Sequence, residues 1–150
     1  MTSSVLRSCR WSRERGAALL ETAIALPLVL LVSVGIFEFG RAYQTWQVIT
    51  NAAREGARIA VLPGTNDAAV TAQVRAYMVS GQLPQAPNAA VNVVHNVPLA
   101  AGGATATGSR VTVSYPFSFV VLQPVARLVT PGTHVGDALT MSSSALMRNE

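Results

Sequence analysis

The sequence predicts an α+β protein in which a long amino-terminal transmembrane helix continues into a small external domain. Three observations support this fold class. Residues 17–37 form an apolar segment of membrane length whose only charged residue is Glu21. The helical pattern then continues to about Leu62, where Pro63-Gly64 ends it. After that point residues 67–80 keep the helical period, whereas three later runs alternate between apolar and polar residues, as strands do.

The predicted organisation has four parts. A charged leader occupies residues 1–16, the transmembrane helix 17–37, its continuation 38–62, and a small external α+β domain 63–150. A chain of 150 residues accommodates one domain and an anchor. Because the external domain is short, its own core is expected to be marginal and to draw on the long helix.

Positive charge is concentrated at the amino terminus. All eleven basic residues are arginine, and the four that precede the apolar segment are Arg7, Arg10, Arg13 and Arg15. By the positive-inside rule these arginines stay cytoplasmic, which places residues from about 40 onward in the periplasm of a Gram-negative cell. The remainder of the chain has seven arginines and six acidic residues. Despite the pI of 10.2, it offers no basic surface for nucleic acid.

The apolar segment matches a membrane span in length. As a helix, residues 17–37 would rise about 31 Å, against a hydrocarbon core of roughly 30 Å. A secretory signal has a shorter apolar core followed by small residues, whereas Glu38 and Arg41 follow this one. Pro27 removes the N–H that would bond the carbonyl of Ala23, which predicts a kink. A functional hinge and a merely tolerated membrane proline are both open.

Beyond the membrane, one side of the helix carries apolar and small residues. They recur at alternating spacings of four and three and shrink from an indole to small side chains: Ala42, Trp46, Ile49, Ala53, Gly56 and Ala60. A partner helix could therefore approach closely near Gly56. Burial of this stripe against the chain's own domain and packing against neighbouring subunits are both open, and both can hold along one helix.

The external domain is predicted to contain one helix and three antiparallel strands. Asn66 or Asp67 caps the helix at 67–80, whose apolar face consists of Val70, Val74, Tyr77 and Met78. Alternating residues predict strands near 91–97, 111–119 and 138–147, with the helix against one face of the sheet.

Two further expectations concern the strands and their connections. Pro116 lies within the second strand, which implies an edge strand or a bulge. Residues 99–109 are predicted to be a loop or hairpin connection, and residues 122–137 to be irregular.

The sequence gives no sign of catalysis, of a metal or of a cofactor. His95 and His134 are isolated, without metal-ligand spacing or a nearby acidic cluster. The serines at 142–144 lack nucleophile-elbow glycines, and Gly102-Gly103 lacks a phosphate-binding pattern. The single cysteine, Cys9, lies in the leader, so later residues form neither disulfides nor a cysteine-based metal site. We expect a protein that is not an enzyme.

The start of the chain resembles the prepilin signature. A charged leader, Gly16 and an apolar helix with Glu21 at its fifth position are how type IV pilins and pseudopilins begin. The resemblance implies cleavage between Gly16 and Ala17 by a prepilin peptidase on the cytoplasmic side. Cleavage would create an ammonium on Ala17, four residues before Glu21. Glu21 can then pair with its own or a neighbouring subunit's terminus, and the alternative is an acid that reaches the lipid headgroups.

A longer resemblance points to one family. Three runs are similar to the TadE-like family, pseudopilins of the tight-adherence (Flp-type) pilus system: Arg15-Gly-Ala-Ala-Leu-Leu-Glu-Thr-Ala-Ile-Ala-Leu-Pro-Leu, Gly35-Ile-Phe-Glu-Phe-Gly-Arg-Ala-Tyr43 and Asn51-Ala-Ala-Arg-Glu-Gly-Ala-Arg58. The resemblance implies a minor pilin or pseudopilin in the inner membrane that works with other pilin subunits and the pilus assembly platform. An uncleaved signal-anchor protein with a periplasmic binding domain and a type II secretion pseudopilin are the alternatives.

Overall fold

The structure is a computed structural model that describes residues 6–101, 104–129, 134 and 137–149. The chain divides into two compact units, Met1–Phe37 and Glu38–Glu150. A single helix, α1 (Leu6–Ala60), supplies the described part of the first unit and opens the second. Two further helices and a three-stranded antiparallel sheet follow, which confirms the predicted α+β class.

The first unit is a helix whose described side chains are almost all exposed. From Gly16 onward it is long and apolar enough to cross a membrane, and no residue of its most apolar stretch is buried. The hydroxyls of Thr22 and Ser33 donate to the carbonyls of Ala18 and Val29, each at 2.8 Å. These bonds satisfy the two hydroxyl side chains of the apolar segment. The helix is continuous on both sides of Pro27.

The helices of the second unit begin and end at identifiable signals. α1 ends at Ala60, two residues before the predicted end, and Gly64 takes the following turn with φ of +80°. α2 (Asp67–Ser80) is capped by Asn66, whose Oδ1 accepts from the backbone N–H of Ala69 at 2.8 Å. The predicted helix at 67–80 is therefore confirmed, with Asn66 as its cap.

The sheet has the order β1-β2-β3, with β1 (Ala90–Ala101), β2 (Ala104–Phe117) and β3 (Leu139–Arg148) all antiparallel to their neighbours. Three strands were predicted, and three are confirmed. The β1–β2 hairpin is longer than expected because pairing continues as far as Ala101 and Ala104. Most of the predicted connection at 99–109 is therefore strand.

Two expectations about this part of the chain need correction. Pro116 lies in the central strand and not in an edge strand. Pairing with β1 reaches only Ser114, however, so Pro116 is opposite Thr140 of β3 alone and interrupts no ladder with β1. The segment expected to be irregular contains α3 (Leu122–Val129), which accommodates Pro124 in its first turn.

The core of the second unit lies between α1, α2 and one face of the sheet. Small side chains on α1 let the helix approach the sheet closely, while α2 and β2 supply larger ones. The buried apolar residues are Ile49, Ala52, Ala53, Ala57 and Ala60 of α1, Val70, Val74 and Met78 of α2, Leu83, Ala86 and Ala89 of the following connection, and Val111, Val113, Tyr115 and Phe117 of β2. Tyr77, expected on the apolar face of α2, is 37% exposed.

Candidate functional site

The predicted processing junction lies within α1. Ala17 and Glu21 are both exposed and stand four residues apart on one helix, so they share a face. A Cβ added to Gly16 would meet no described atom within 4 Å. Packing in the described part of the chain therefore does not require a glycine at this position. The leader arginines Arg7, Arg10, Arg13 and Arg15 belong to the same helix.

The predicted packing stripe on α1 is buried over its second half. Ile49, Ala53, Gly56 and Ala60 are buried in the second unit. A Cβ on Gly56 would lie 2.5 Å from Val74 Cγ2 and 3.1 Å from a methyl of Val111. Close approach of two elements thus requires a glycine here. This part of the stripe contacts the chain's own α2 and sheet.

The first half of the stripe is arranged differently. Ala42 is half-buried, but Trp46 is 48% exposed, and the neighbouring Thr45 is buried in its place. Phe39, Tyr43 and Trp46 recur at spacings of four and three and are all exposed. These three residues form a second surface on α1, the aromatic stripe, separate from the buried one.

A buried carboxylate at Glu38 connects α1 to the segment in front of α3. Only 1% of Glu38 is exposed. Its Oε1 accepts hydrogen bonds from the backbone N–H groups of Val120 (2.8 Å) and Val121 (2.6 Å). Its Oε2 accepts one from Arg41 at 2.8 Å. Both carboxylate oxygens are satisfied, which is what a buried charge requires.

Arg41 extends this arrangement to the end of β2. Its guanidinium carbon lies 5.4 Å from the centroid of the Phe117 ring, within the range of a cation–π contact. The Phe117 ring in turn meets Phe119 edge to face, with centroids 5.2 Å apart. We call Glu38, Arg41, Phe117 and the N–H groups of Val120 and Val121 the Glu38 node.

The Glu38 node keeps its carboxylate charged. Burial alone raises the pKa of Glu38, but the N–H donors of Val121 and Val120 and the charge of Arg41 outweigh it, so the pKa lies below the ordinary 4.5. Sequence reasoning treated Glu38 and Arg41 only as the polar flank of the membrane segment. Their i, i+3 spacing is a signal for an ion pair that can be read from the sequence. The hydrogen bonds from Val120 and Val121, more than 80 residues later, leave no such signal.

The expectation that His95 is isolated is wrong. Its Nε2 lies 2.8 Å from Asp67 Oδ1 and its Nδ1 lies 3.1 Å from Ser109 Oγ. Ser109 is fully buried and donates to Asn149 at 2.9 Å. Although the order Asp–His–Ser is that of a catalytic relay, a buried hydroxyl cannot reach a substrate. This network ties the start of α2 to the sheet.

His134 is also paired, with Asp137 at 2.9 Å. The hydrogen bond from His134, together with those from Arg127 and Gln123, outweighs the opposing effect of desolvation, so the pKa of Asp137 is lowered. Within the described residues, no group of three or more His, Cys, Asp or Glu side chains could hold a metal ion.

An open cavity of about 230 Å³ lies beside the Glu38 node. Arg41, Gln44, Gln85 and Tyr115 supply its polar lining, and the Tyr115 hydroxyl accepts from the backbone N–H of Gln85 at 3.1 Å. None of the described residues that line it is acidic, histidine or cysteine. The hydroxyls of Thr45, Tyr115 and Ser118 in the lining therefore have no acidic or histidine partner among the lining residues.

Comparison with known proteins identifies the helix that carries these residues. The family model described as TadE-like protein matches residues 16–58. The match begins at Gly16 and includes Glu21, Glu38 and Arg41. No curated protein and no solved structure shows significant similarity to the chain. The resemblance to the TadE-like family that the sequence predicted is thus confirmed over residues 16–58.

Proposed function

We propose that this chain is a membrane-anchored minor pilin or pseudopilin for the assembly of a tight-adherence pilus. The observation that carries the proposal is the TadE-like match over residues 16–58, which includes the exposed apolar part of α1. A family of this kind has a structural role in a pilus system and does not act as an enzyme. The burial of Ser109 fits that role, because its hydroxyl, in the one relay-like cluster among the described residues, is inaccessible to a substrate.

Maturation by a prepilin peptidase is the second part of the proposal. The peptidase cuts between Gly16 and Ala17 on the cytoplasmic side. Because both residues lie within α1, the helix must unwind locally before its backbone can enter an active site. Glycine supports this step, since it makes a helix less stable by about 1 kcal/mol relative to alanine. Its lack of a Cβ also gives the peptidase direct access to the backbone.

Glu21 acts after cleavage. The new ammonium on Ala17 would stand one turn before the carboxylate, on the same helix face or close to that of a neighbouring subunit. At 4 Å such a pair is worth about 1 kcal/mol in water and about 4 kcal/mol at an effective dielectric constant of 20. Pairing therefore favours the arrangement in which subunits bring these charges together inside the apolar layer.

The chain is placed in the inner membrane with a single pass. The leader arginines remain cytoplasmic and the Glu38–Glu150 unit is periplasmic. The proposed partners are the prepilin peptidase, other pilin or pseudopilin subunits, membrane lipid and the inner-membrane assembly platform. Trp46 is the one residue of the predicted packing stripe that is exposed, so we assign contact between subunits to this part of α1.

Glu21→Gln tests the assembly role. The variant keeps the shape of the side chain but loses its charge, so we expect normal insertion and a normal amount in membranes. Pilus output should fall at least about tenfold, since each 1.4 kcal/mol lost is a factor of ten in an equilibrium. Sheared pili are quantified alongside membrane fractions of the same cells.

Glu55→Gln is the matched control on the same helix. It removes a surface pair in which Arg58 donates to Glu55 at 2.7 and 2.9 Å, a kind of pair worth about 0–1 kcal/mol. Pilus output from this variant should stay normal. Normal output from Glu21→Gln would exclude charge pairing as its role, and loss of Glu21→Gln from the membrane would equally contradict the assembly role.

A further inference from the structure

The helix α3 has an apolar side that is exposed at Val125 and Leu128. These two residues lie three apart, in line with Val121, which directly precedes the helix and is half-buried. Val125 is 41% exposed and Leu128 is 84% exposed. Val120, directly before this row, is 58% exposed. Surface-exposed leucine and valine in a contiguous row mark a contact surface more often than a single exposed apolar residue does.

The polar side of α3 is engaged within the domain. Gln123 Nε2 and Arg127 Nη2 both point at Asp137 Oδ1, each at 3.4 Å. These two residues are four apart, so they share the other side of the helix. The helix is therefore amphipathic. Its polar side is hydrogen-bonded within the domain, and its apolar side is free to contact a different environment.

The position of α3 in the chain's fold indicates what its apolar side contacts. Val120 and Val121 donate their N–H groups to Glu38, the residue that directly follows the predicted membrane span at 17–37. The start of α3 is thereby held within hydrogen-bond distance of the residue at which the chain leaves the apolar segment. As an eight-residue helix, α3 is about 12 Å long, so its far end lies within about that distance of its start.

The lipid headgroup region begins at the same level. It adds roughly 5–8 Å to each side of the hydrocarbon core. Exposed aromatic residues also accompany this level on α1, since Phe39 is 72% and Tyr43 62% exposed, and aromatic side chains are enriched where membrane proteins cross the interface.

We propose that α3 is an interfacial helix that inserts Val125 and Leu128 into the headgroup–acyl boundary of the membrane that α1 crosses. This inference rests on the membrane anchoring in the proposed function. The amphipathic pattern and length fit a helix that lies in the plane of the interface. The Glu38 node holds the start of this helix beside Glu38, the residue at which the chain leaves the apolar segment. The buried ion pair between Glu38 and Arg41 would thus position α3 at the interface.

Site-specific quenching by lipid tests the inference. Because Cys9 is the only cysteine, a full-length Cys9→Ser chain accepts single reporters at Leu30→Cys, Leu128→Cys and Leu62→Cys. Each variant carries an environment-sensitive fluorophore and is reconstituted in phosphatidylcholine–phosphatidylglycerol vesicles with nitroxide-labelled lipid. We expect quenching at positions 30 and 128 to exceed that at position 62 at least threefold.

Leu62 is the matched control. It is also an exposed leucine, 51% accessible, but α1 rises about 33 Å between Glu38 and Ala60, which lies two residues before Leu62. Circular dichroism of each labelled variant must match that of the parent. Val125→Cys provides a second reporter on the same apolar side and should behave like position 128.

The other outcomes separate this inference from the anchoring on which it depends. Quenching at 30 with none at 128 above the level at 62 would overturn the interfacial helix and leave the anchor intact. Absence of quenching at 30 would overturn the anchor and the inference together. Protection of position 128 only after other pilus subunits are added would assign the surface to a protein partner and would also overturn the inference.

Discussion

Three glutamates on α1 illustrate how one residue type serves different purposes along one helix. Glu21 is an exposed acid in the apolar segment, where a charge is costly unless it is paired or reaches the interface. Glu38 is buried and fully hydrogen-bonded. Glu55 forms a surface pair with Arg58. The sequence alone drew attention to Glu21, but the residue that ties α1 to α3 is Glu38.

Glu38→Gln should destabilise the second unit by about 1–3 kcal/mol at pH 7, because hydrogen bonds to a charged group are stronger than those to a neutral amide. The folded-state pKa of Glu38 lies below 4.5. Its contribution to stability is therefore complete above about pH 4.5 and is lost as the pH falls toward the folded-state pKa. Stability of the variant should consequently change less below pH 4.5 than that of the parent. Thermal unfolding of the full chain in detergent micelles measures both effects.

The control for this prediction is Glu55→Gln. The pKa of Glu55 is also lowered, chiefly by its hydrogen bond from Arg58, but the pair lies on the surface. We expect its free energy of unfolding to stay within about 0.5 kcal/mol of the parent. Equal unfolding temperatures for Glu38→Gln and the parent at pH 7 would show that the Glu38 node contributes no net stability.

Gly56→Ala should destabilise the second unit by about 1–3 kcal/mol through overpacking. The added methyl would stand 2.5 Å from Val74 Cγ2 and 3.1 Å from Val111 Cγ1, so α1 would have to move away from α2 and the sheet. Gly40→Ala is the matched change on the same helix, since nothing lies within 4 Å of a Cβ there. It should be neutral or stabilising by up to about 1 kcal/mol. Similar unfolding temperatures for the two variants would contradict the proposed close packing at Gly56.

At the scale of residues, the spacing along α1 grouped the small side chains well but did not predict the exposure of Trp46. The spacing of Ile49, Ala53, Gly56 and Ala60 put them on one side of α1 without deciding what that side contacts, and all four are buried in the chain's own second unit. Trp46 was included because its spacing continued the row, although Thr45 takes the buried position. An apolar side chain continues such a row equally well whether its partner lies in the same chain or in another molecule, so periodicity does not separate the two.

At the scale of elements, the longest and most periodic segments were the ones that could be predicted. α1, α2 and the three strands all carry local signals such as a cap, a stop or an alternation. α3 carries few, since it has eight residues with Pro124 inside, and its start is held by Glu38, more than 80 residues earlier. The extended hairpin pairs Ala100 with Thr105 and Ala101 with Ala104, and alanine gives little indication of a strand.

We infer the direction in which α1 would cross the membrane from the residues that flank its apolar segment. Four arginines precede the apolar segment, whereas Glu38 and Arg41 after it are paired with each other. Alkaline phosphatase fused after residue 150 should therefore be active, because it folds only after export, and a fused cytoplasmic fluorescent protein should be dark. Replacing Arg7, Arg10, Arg13 and Arg15 with glutamine should weaken this bias. A bright fluorescent fusion with an inactive phosphatase fusion would reverse the topology.

At the scale of the whole molecule, the two units differ in how far the sequence alone explains them. The similarity to the TadE-like family lies within one continuous helix, at residues 16–58. The remaining domain is held together by contacts between distant parts of the chain, such as His95 with Asp67 and Ser109 with Asn149. Such contacts leave no local pattern in one sequence, so the class of the domain was predictable while its polar network was not.

The central claim is that this chain becomes a pilus-assembly subunit by losing its leader after Gly16. Amino-terminal sequencing of protein recovered from membranes of pilus-producing cells tests it directly. We predict that the wild-type chain and Gly35→Leu begin at Ala17, and that Gly16→Leu keeps its leader. Gly35 is a suitable control because a Cβ there also meets nothing within 4 Å. Wild-type protein that keeps residues 1–16 in these membranes, or Gly16→Leu that matures normally, would contradict the account.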